Sequence, residues 1–312
     1  MKKEIVIRTH KLTKSYGNTI ALQNADITIC KGEIYGLVGN NGAGKTTFLK
    51  MLAGEIVPTS GEFTLLGENT QKGYLKARKR MGAIIENPAF FPGMSAKQNL
   101  EYYRIQRGIP GKEVVEQTLE CVGLTEAKNK KFKNMSLGMK QRLGLGLALM
   151  GEPELLVLDE PINGLDPSGI IEIRNLLLKL NQEKGVTMII SSHILAELSN
   201  IATQYGFLSK GKVVEQISAE ELKEKSRDYL EIRVTDIEKY VSLLESKMEC
   251  KNYKVMADGS IHILGKIDKL TEYSALAVNH EIGLLFFGMK EVNLENYYME
   301  IIGETVEAEG DK

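Results

Sequence analysis

A glycine-rich stretch near the N-terminus has the residues and spacing of a phosphate-binding loop. The stretch GNNGAGKTT (39–47) matches G-x-x-x-x-G-K-[ST], with Gly39, Gly44, Lys45 and Thr46 at the fixed positions. Its glycines let backbone N–H groups turn towards phosphate oxygens, while the lysine offsets the β/γ-phosphate charge and the threonine hydroxyl can bind Mg²⁺. We expect the whole stretch to hold a nucleotide: Gly39, Asn40, Asn41, Gly42, Ala43, Gly44, Lys45, Thr46 and Thr47. The spacing is not G-x-G-x-x-G, which excludes a dinucleotide fingerprint.

Two adjacent carboxylates follow a second apolar run. In ELLVLDEP (154–161), Asp159 and Glu160 come directly after LLVL. Ligands bind at the carboxyl ends of parallel strands, so Asp159 is expected to face the Mg²⁺ beside the phosphate loop. Glu160 is then placed to polarise an attacking water. Alone, this stretch could be a capped turn, but its pairing with the phosphate loop favours a catalytic role.

One histidine also stands at a strand end where the site is expected. His193 closes the apolar run MIISSH (188–193). The other three histidines, His10, His262 and His280, do not follow such a run, and we expect them to be surface or packing residues.

A second stretch, MSLGMKQR (135–142), has the pattern of a helix start. Ser136 is a plausible N-cap before the leucine-rich run LGLGLALM. A helix N-terminus with a free hydroxyl suits an anion. The chain therefore has two candidate phosphate sites, nearly a hundred residues apart in sequence.

The distribution of apolar runs predicts an α/β core. LLVL and VTMII are apolar on both faces, as in central strands of a covered parallel sheet, whereas the early runs alternate and favour an antiparallel edge layer. Between about 89 and 150 the strand patterns stop and helical patterns follow. We therefore predict a helical insertion within the core.

The pattern of predicted strands and helices changes again after residue 216. A charged linker, ISAEELKEKSRD (217–228), is predicted to be helical. The remaining runs follow the order βαββαβ, with an Asp-Gly hairpin turn in NYKVMADGSIHILG and a closing helix at NLENYYMEIIG (293–303). This order predicts a small ferredoxin-like module in 217–312.

Composition is consistent with two globular domains. The chain has 312 residues, 43% of them apolar, and one domain takes roughly 150 residues. A net charge of −1 gives no sign of a nucleic-acid partner. Cys30, Cys121 and Cys250 are widely spaced and predicted to be reduced thiols. No signal peptide or run of about 18 apolar residues is visible, so we expect a soluble, cytoplasmic protein.

Taken in order, these motifs resemble the ATP-binding subunit of an ABC transporter. MSLGMKQR is similar to the signature sequence LSGGQ of that family, with Met135 for the leading Leu and Leu137 for the first Gly. The resemblance covers about 1–216 and implies a P-loop NTPase core with ATP and Mg²⁺ as cofactors. It also implies ATP hydrolysis coupled to transport.

The resemblance assigns roles to further residues. It implies that Tyr16 in KSYG stacks on adenine, although packing in the core is an alternative. It implies that His193 contacts the γ-phosphate and that Asp166, in the D-loop NGLDP (163–167), lies at a subunit boundary. Two units of this family pair head-to-tail, so Ser136 and Gly138 would cap the γ-phosphate of a partner's ATP.

One position departs from the general family pattern. In AIIENPAFFP (83–92), the loop joining core and helical insertion has Glu86 where the family usually has Gln. Glu at this place is typical of transporters that export bacitracin or lantibiotic-type peptides, or give immunity to them. The ending VNLENYYMEIIG resembles the same group. We expect Glu86 to help hold Mg²⁺ and the attacking water.

These features are compatible with three functions. The favoured one is an exporter subunit on the inner face of the cell membrane, working with a separate permease and a second ATP-binding subunit. The alternative is a soluble ABC-type ATPase acting on ribosomes or DNA. Such proteins usually carry two cassettes or a long coiled coil, whereas this chain has one cassette and no sustained heptads. In the third, residues 217–312 form a regulatory or dimerisation module that binds a small effector.

Overall fold

The computed structural model describes residues 3–86, 89–193, 195–225, 229–264, 270–290, 297–299 and 301. The chain divides into two compact units, Met1–Ala219 and Glu220–Lys312.

The first unit contains two sheets and several helices. In chain order its strands are β1 (Ile5–Tyr16), β2 (Thr19–Ala25), β3 (Thr28–Cys30), β4 (Ile34–Val38), β5 (Ser60–Leu65), β6 (Met81–Ile84), β7 (Leu155–Asp159), β8 (Thr187–Ser192), β9 (Gln204–Ser209) and β10 (Lys212–Ser218). The helices are α1 (Lys45–Ala53), α2 (Gln71–Lys79), α3 (Ala96–Gln106), α4 (Glu113–Cys121), α5 (Leu137–Leu149), α6 (Pro167–Lys184) and α7 (Leu195–Ser199), and α8 (Ala219–Lys225) begins at the last residue of the unit.

The larger sheet has the strand order β10-β9-β4-β8-β7-β6. Strands β9, β4, β8, β7 and β6 are parallel, and β10 pairs antiparallel with β9. All residues of β4 and β8 are buried, as expected for strands covered on both faces. In register, Val38 lies opposite Ser192 and Asp159 opposite Ser191. The carboxyl ends of β4, β7 and β8 therefore meet at one edge of the sheet.

The smaller sheet is the predicted antiparallel layer. Its central strand β1 pairs antiparallel with β2, β3 and β5. The apolar runs do not predict β2, because polar residues such as Gln23 and Asn24 interrupt its alternation; its pairing with β1 defines it as a strand. This sheet shares an apolar core with the parallel sheet and α1, including Ile7, Phe48 and Val157.

The helical insertion has an apolar core of its own. Buried side chains from α3, α4, α5 and the adjoining loops form this core: Phe90, Ala96, Leu100, Val115, Leu119, Val122, Leu124, Met135, Leu143, Leu147 and Met150. A capping box at Ser95 starts α3, and Ser136 starts α5 as predicted, its Oγ accepting from Met139 N (3.4 Å). A 3₁₀ turn, Phe132–Asn134, precedes this last helix.

The second unit has the predicted βαββαβ order. Its elements are β11 (Tyr229–Val234), α9 (Ile237–Met248), β12 (Tyr253–Val255), β13 (Ile261–Leu264), α10 (Leu270–Asn279) and β14 (Leu284–Lys290). The strands pair antiparallel in the order β12-β13-β11-β14, which confirms the ferredoxin-like arrangement. Most of the predicted closing helix (293–303) lies outside the described residues; 297–299 and 301 are helical.

Two further expectations can be compared with the structure. All three cysteines are free thiols. Within the described residues, no helix is both long and apolar enough to cross a membrane.

Candidate functional site

The glycine-rich stretch forms a loop between β4 and α1. Gly44, the residue before the helix, has φ = +104°, and a Cβ there would lie 2.5 Å from the Ala21 carbonyl oxygen. Only glycine suits this position, because both the backbone conformation and the available space exclude a side chain. The chain therefore turns sharply from the strand into the helix, as a phosphate-binding loop requires.

Lys45 lies buried at the centre of this loop. Its Nζ donates to the carbonyl oxygen of Gly39 (2.6 Å) and lies 3.6 Å from Oε1 of Glu160. The side chain is only 6% exposed. Because a buried ammonium is costly unless it is paired, these oxygens hold the charge in place, where an anionic phosphate could bind it.

The carboxylate at the end of β7 faces the first turn of α1. Thr46 Oγ1 donates to Asp159 Oδ2 (2.8 Å), and Ser191 Oγ donates to Asp159 Oδ1 (2.5 Å). A hydroxyl and a carboxylate oxygen are ligands that suit Mg²⁺, which usually takes few protein ligands and completes its shell with phosphates and water. In the described residues no group of three or more His, Cys, Asp or Glu could hold a metal. Because a hydroxyl and one carboxylate are few protein ligands, the pair Thr46 and Asp159 fits a Mg²⁺ that a nucleotide also binds.

Glu160 and His193 meet beside this pair. Oε2 of Glu160 lies 2.6 Å from Nδ1 of His193, which directly follows β8. The Glu160 backbone N–H is shared by the carbonyl oxygen (3.2 Å) and hydroxyl (3.0 Å) of Ser191. Glu160 has φ = +49°, a conformation that costs an L-residue roughly 1–2 kcal/mol. These hydrogen bonds hold the Glu160 backbone in its strained conformation, and the carboxylate contacts His193 and lies 3.6 Å from Lys45 Nζ.

Sequence reasoning missed Ser191. This residue is fully buried in β8, and its hydroxyl contacts both Asp159 and Glu160. The available signal was a pair of serines closing an otherwise apolar strand, but the partner of a strand-end hydroxyl depends on sheet order and register.

Tyr16 ends β1 and is half exposed, with 50% of its surface accessible. The alternative that it packs in the core is therefore wrong. Lys14 Nζ lies 5.0 Å from the ring centroid, so the ring already binds a cation on one face. An exposed aromatic ring at this position is available for stacking.

Glu86 forms an ion pair with a residue that the sequence did not single out. Lys50, one helical turn after Thr46 on α1, donates to Glu86 Oε1 (2.6 Å). This hydrogen bond raises the pKa of Lys50 above its usual value. Glu86 has φ = +61°, and its side chain is 67% exposed. The next two residues of the loop, 87 and 88, lie outside the described residues.

The structure brings Ser136, Gly138 and Asp166 together at a pocket away from the phosphate loop. They border a pocket of about 420 Å³ between the start of α5 and the start of α6. Its lining consists of Ser136, Leu137, Gly138, Arg142, Gly164, Leu165, Asp166, Ser168, Gly169, Glu172 and Ile173. No residue of the phosphate loop lines it. The chain therefore has a second polar site, which residues of the second motif line and which is separate from the phosphate loop.

Comparison with known proteins identifies the family. A profile described as ABC transporter matches residues 22–163. The bacitracin transport ATP-binding protein BcrA of Bacillus licheniformis is 41% identical over 298 residues, which cover 96% of this chain and 97% of the relative. The chain belongs to the ABC transporter family. Its ATP-binding subunits hydrolyse ATP, and the predicted family, P-loop fold and ATPase activity are confirmed.

Other members of the ABC transporter family are similar over shorter parts. The lantibiotic transport ATP-binding protein SrtF of Streptococcus pyogenes is 39% identical over 67% of this chain and 89% of its own length. The solved structure of cbiO1 from Clostridium perfringens, part of the ABC transporter complex cbiONQ, is 26% identical with a TM-score of 0.64, covering 79% of this chain and 97% of that one. The dimeric bacterial ABC transporter cassette MJ0796 is 27% identical with a TM-score of 0.62, and the match covers 68% of this chain and 98% of that one.

The Ser191 contacts generate a prediction. Ser191→Ala removes the hydroxyl that holds Asp159 and Glu160, and a hydrogen bond to a charged group is worth about 1.5–3 kcal/mol. We expect the turnover number for ATP to fall about 10- to 100-fold, with ATP affinity retained because the contacts of Lys45 are unchanged. The matched control is Ser199→Ala, whose hydroxyl donates to the Ala196 carbonyl in α7. Wild-type turnover in Ser191→Ala would contradict this role.

Proposed function

We propose that this ABC subunit uses ATP hydrolysis to power export of a peptide antibiotic, or immunity to one, through a separate permease at the inner face of the cell membrane. The observation that carries the ATPase part is the convergence of Lys45, Thr46, Asp159, Glu160 and His193 at one edge of the parallel sheet. The cargo is supported by the bacitracin and lantibiotic transport relatives.

The roles of the site residues follow from their chemistry. Lys45 and the N–H groups of 39–47 would bind the phosphates, and Thr46 and Asp159 would hold Mg²⁺, which would supply positive charge to offset that of the phosphates. Glu160 orients the attacking water and accepts hydrogen bonds from it. His193, held by Glu160, donates to the γ-phosphate.

The second polar site acts on another subunit's nucleotide. Ser136 and Gly138, at the start of α5, would cap the γ-phosphate of the partner's ATP, where a helix N-terminus favours an anion. Asp166 lies in the same pocket and marks the subunit boundary. Tyr16, half exposed as the last residue of β1, would stack on the adenine of the chain's own ATP.

The domain organisation is part of the proposal. Residues 1–216 form the ATPase domain, with the helical subdomain at about 89–150, and 217–312 form an accessory domain. The separate apolar cores of the helical insertion and of the second unit support this division.

The first prediction from this proposal tests the paired ATP site. Glu160→Gln keeps the shape of the side chain but removes its charge, so ATP and Mg²⁺ should bind without turnover. We expect this variant to form a stable dimer on size-exclusion chromatography with ATP and Mg²⁺. Lys45→Ala is the control, because it should lose nucleotide affinity and stay monomeric. Normal ATP hydrolysis by Glu160→Gln, or failure of this variant to dimerise at high concentration, would contradict the catalytic role of Glu160.

The second prediction concerns the permease. Phe91 is 39% exposed and packs edge-on against Tyr102, itself 42% exposed, whereas Phe90 is buried in the core of the helical insertion. An exposed aromatic pair is typical of a binding surface. We expect Phe91→Glu to retain ATP binding but to lower co-purification with the permease at least about 10-fold, a loss of about 1.4 kcal/mol.

The control for this experiment is Leu75→Glu, which places the same charge at a residue that is 65% exposed on α2. If Phe91→Glu co-purifies as well as Leu75→Glu, this surface is not the permease contact. Co-purification of the wild type with ribosomes or DNA, and with no membrane protein, would favour the soluble ATPase instead.

The third prediction concerns Glu86. If this carboxylate helps hold Mg²⁺, its ion pair with Lys50 competes with the metal. Glu86→Gln should change turnover within about 10-fold, and Glu86→Ala should lower it further and uncouple it from the permease. Lys50→Met should lower the Mg²⁺ concentration needed for half-maximal activity. Mg²⁺-dependent ATPase assays with and without permease give the comparison; wild-type behaviour of all three variants would leave Glu86 as a solvated loop residue.

A further inference from the structure

The start of α5 and the loop before α6 interlock through two leucine–glycine pairs. A Cβ on Gly164 would lie 3.0 Å from Leu137 Cδ2, and a Cβ on Gly138 would lie 3.3 Å from Leu165 Cδ2. Each leucine therefore covers the glycine next to the other leucine. Because each glycine provides the space that a leucine fills, the two segments fit together side by side.

Gly164 is constrained in two ways. Its φ of +76° disfavours any side chain, and a methyl group there would meet Leu137 Cδ2 at 3.0 Å, so the leucine would have to shift to admit it. Leu137 itself is 49% exposed, so it is anchored on one side by the loop and accessible on the other. Leu137, at the third position of the signature, thus packs against Gly164 of the D-loop.

Polar contacts join the same two segments. Gln141 Nε2 donates to the carbonyl oxygen of Asn163 (2.8 Å), the residue before Gly164. Arg142 Nη1 lies 3.2 Å from Glu172 Oε2 on α6. The signature helix and the D-loop are therefore held by apolar packing at one end and by polar contacts further along.

We propose that Leu137 is a positioning residue that fixes the D-loop of its own chain against the signature serine, with Gly164 as its size-matched partner. Ser136 and Asp166 then reach the partner subunit's nucleotide as one rigid body. This inference rests on the proposed function, because it concerns the part of the ATP site that one subunit supplies to the other.

A double-mutant cycle tests this pairing. Gly164→Ala adds a methyl group that Leu137 obstructs, and Leu137→Ala removes the obstruction. We expect Gly164→Ala to lower the turnover number about 10-fold and Leu137→Ala to lower it about 3-fold. The double variant should recover to within about 3-fold of wild type, since coupled neighbours are non-additive. Affinity for ATP at the chain's own loop should be the same in all variants.

A matched control separates backbone strain from packing. Gly67 has φ = +82°, and a Cβ there meets nothing within 4 Å. Gly67→Ala therefore carries a comparable conformational penalty without a clash and should keep wild-type turnover. If strain alone explained Gly164→Ala, removing the leucine would not restore activity.

The outcomes separate the inference from the proposed function. If Glu160→Gln forms no ATP-dependent dimer, the proposed function fails and the positioning role fails with it. If that dimer forms but the turnover effects of Leu137→Ala and Gly164→Ala simply multiply, the positioning role alone is overturned. Rescue in the double variant, with the dimer intact, supports both.

Discussion

The parallel register of β4, β7 and β8 is the constraint on which the site depends. Asp159 lies opposite Ser191, and Val38, the residue before the phosphate loop, lies opposite Ser192. Since successive side chains of a strand point to opposite faces, a slip by one residue would turn the terminal carboxylate and hydroxyl away from each other. Burial of these strands on both faces makes such a slip costly, because buried polar ends would lose their partners.

Charge at the carboxyl edge of this sheet is balanced within a small space. The buried Lys45 lies between loop carbonyl oxygens and Glu160, and Asp159 accepts from two hydroxyl groups. The single lysine charge offsets only one of the two carboxylates, and the hydroxyls stabilise Asp159 by donating hydrogen bonds. A triphosphate would bring further negative charge and its metal further positive charge. The lysine could then pair with phosphate and the carboxylates with the metal, so that no charge would be left unpaired.

Separation of the two polar sites is built into the packing. The phosphate loop belongs to the core shared by both sheets, whereas the signature helix packs in the distinct core of the helical insertion. Because the cores are independent, the core of the helical insertion supports the second site separately from the phosphate loop. Contacts such as Gln141 to Asn163 join this site to the D-loop. Under the proposed pairing, this division lets one chain bind ATP at its own phosphate loop and cap the ATP that its partner binds.

The sequence by itself determined the family, the phosphate loop, the order of strands and helices, and the ferredoxin-like module. These features follow from local patterns: the spacing of 39–47, apolar runs that end in polar residues, and the capping serine before α5. Tertiary structure decided the contacts between distant segments, such as Ser191 with Asp159, Lys50 with Glu86 and Leu137 with Gly164. It also placed Tyr16 at the surface and defined β2 by pairing. Such contacts depend on sheet order, register and the packing of loops, and no local pattern of residues encodes these.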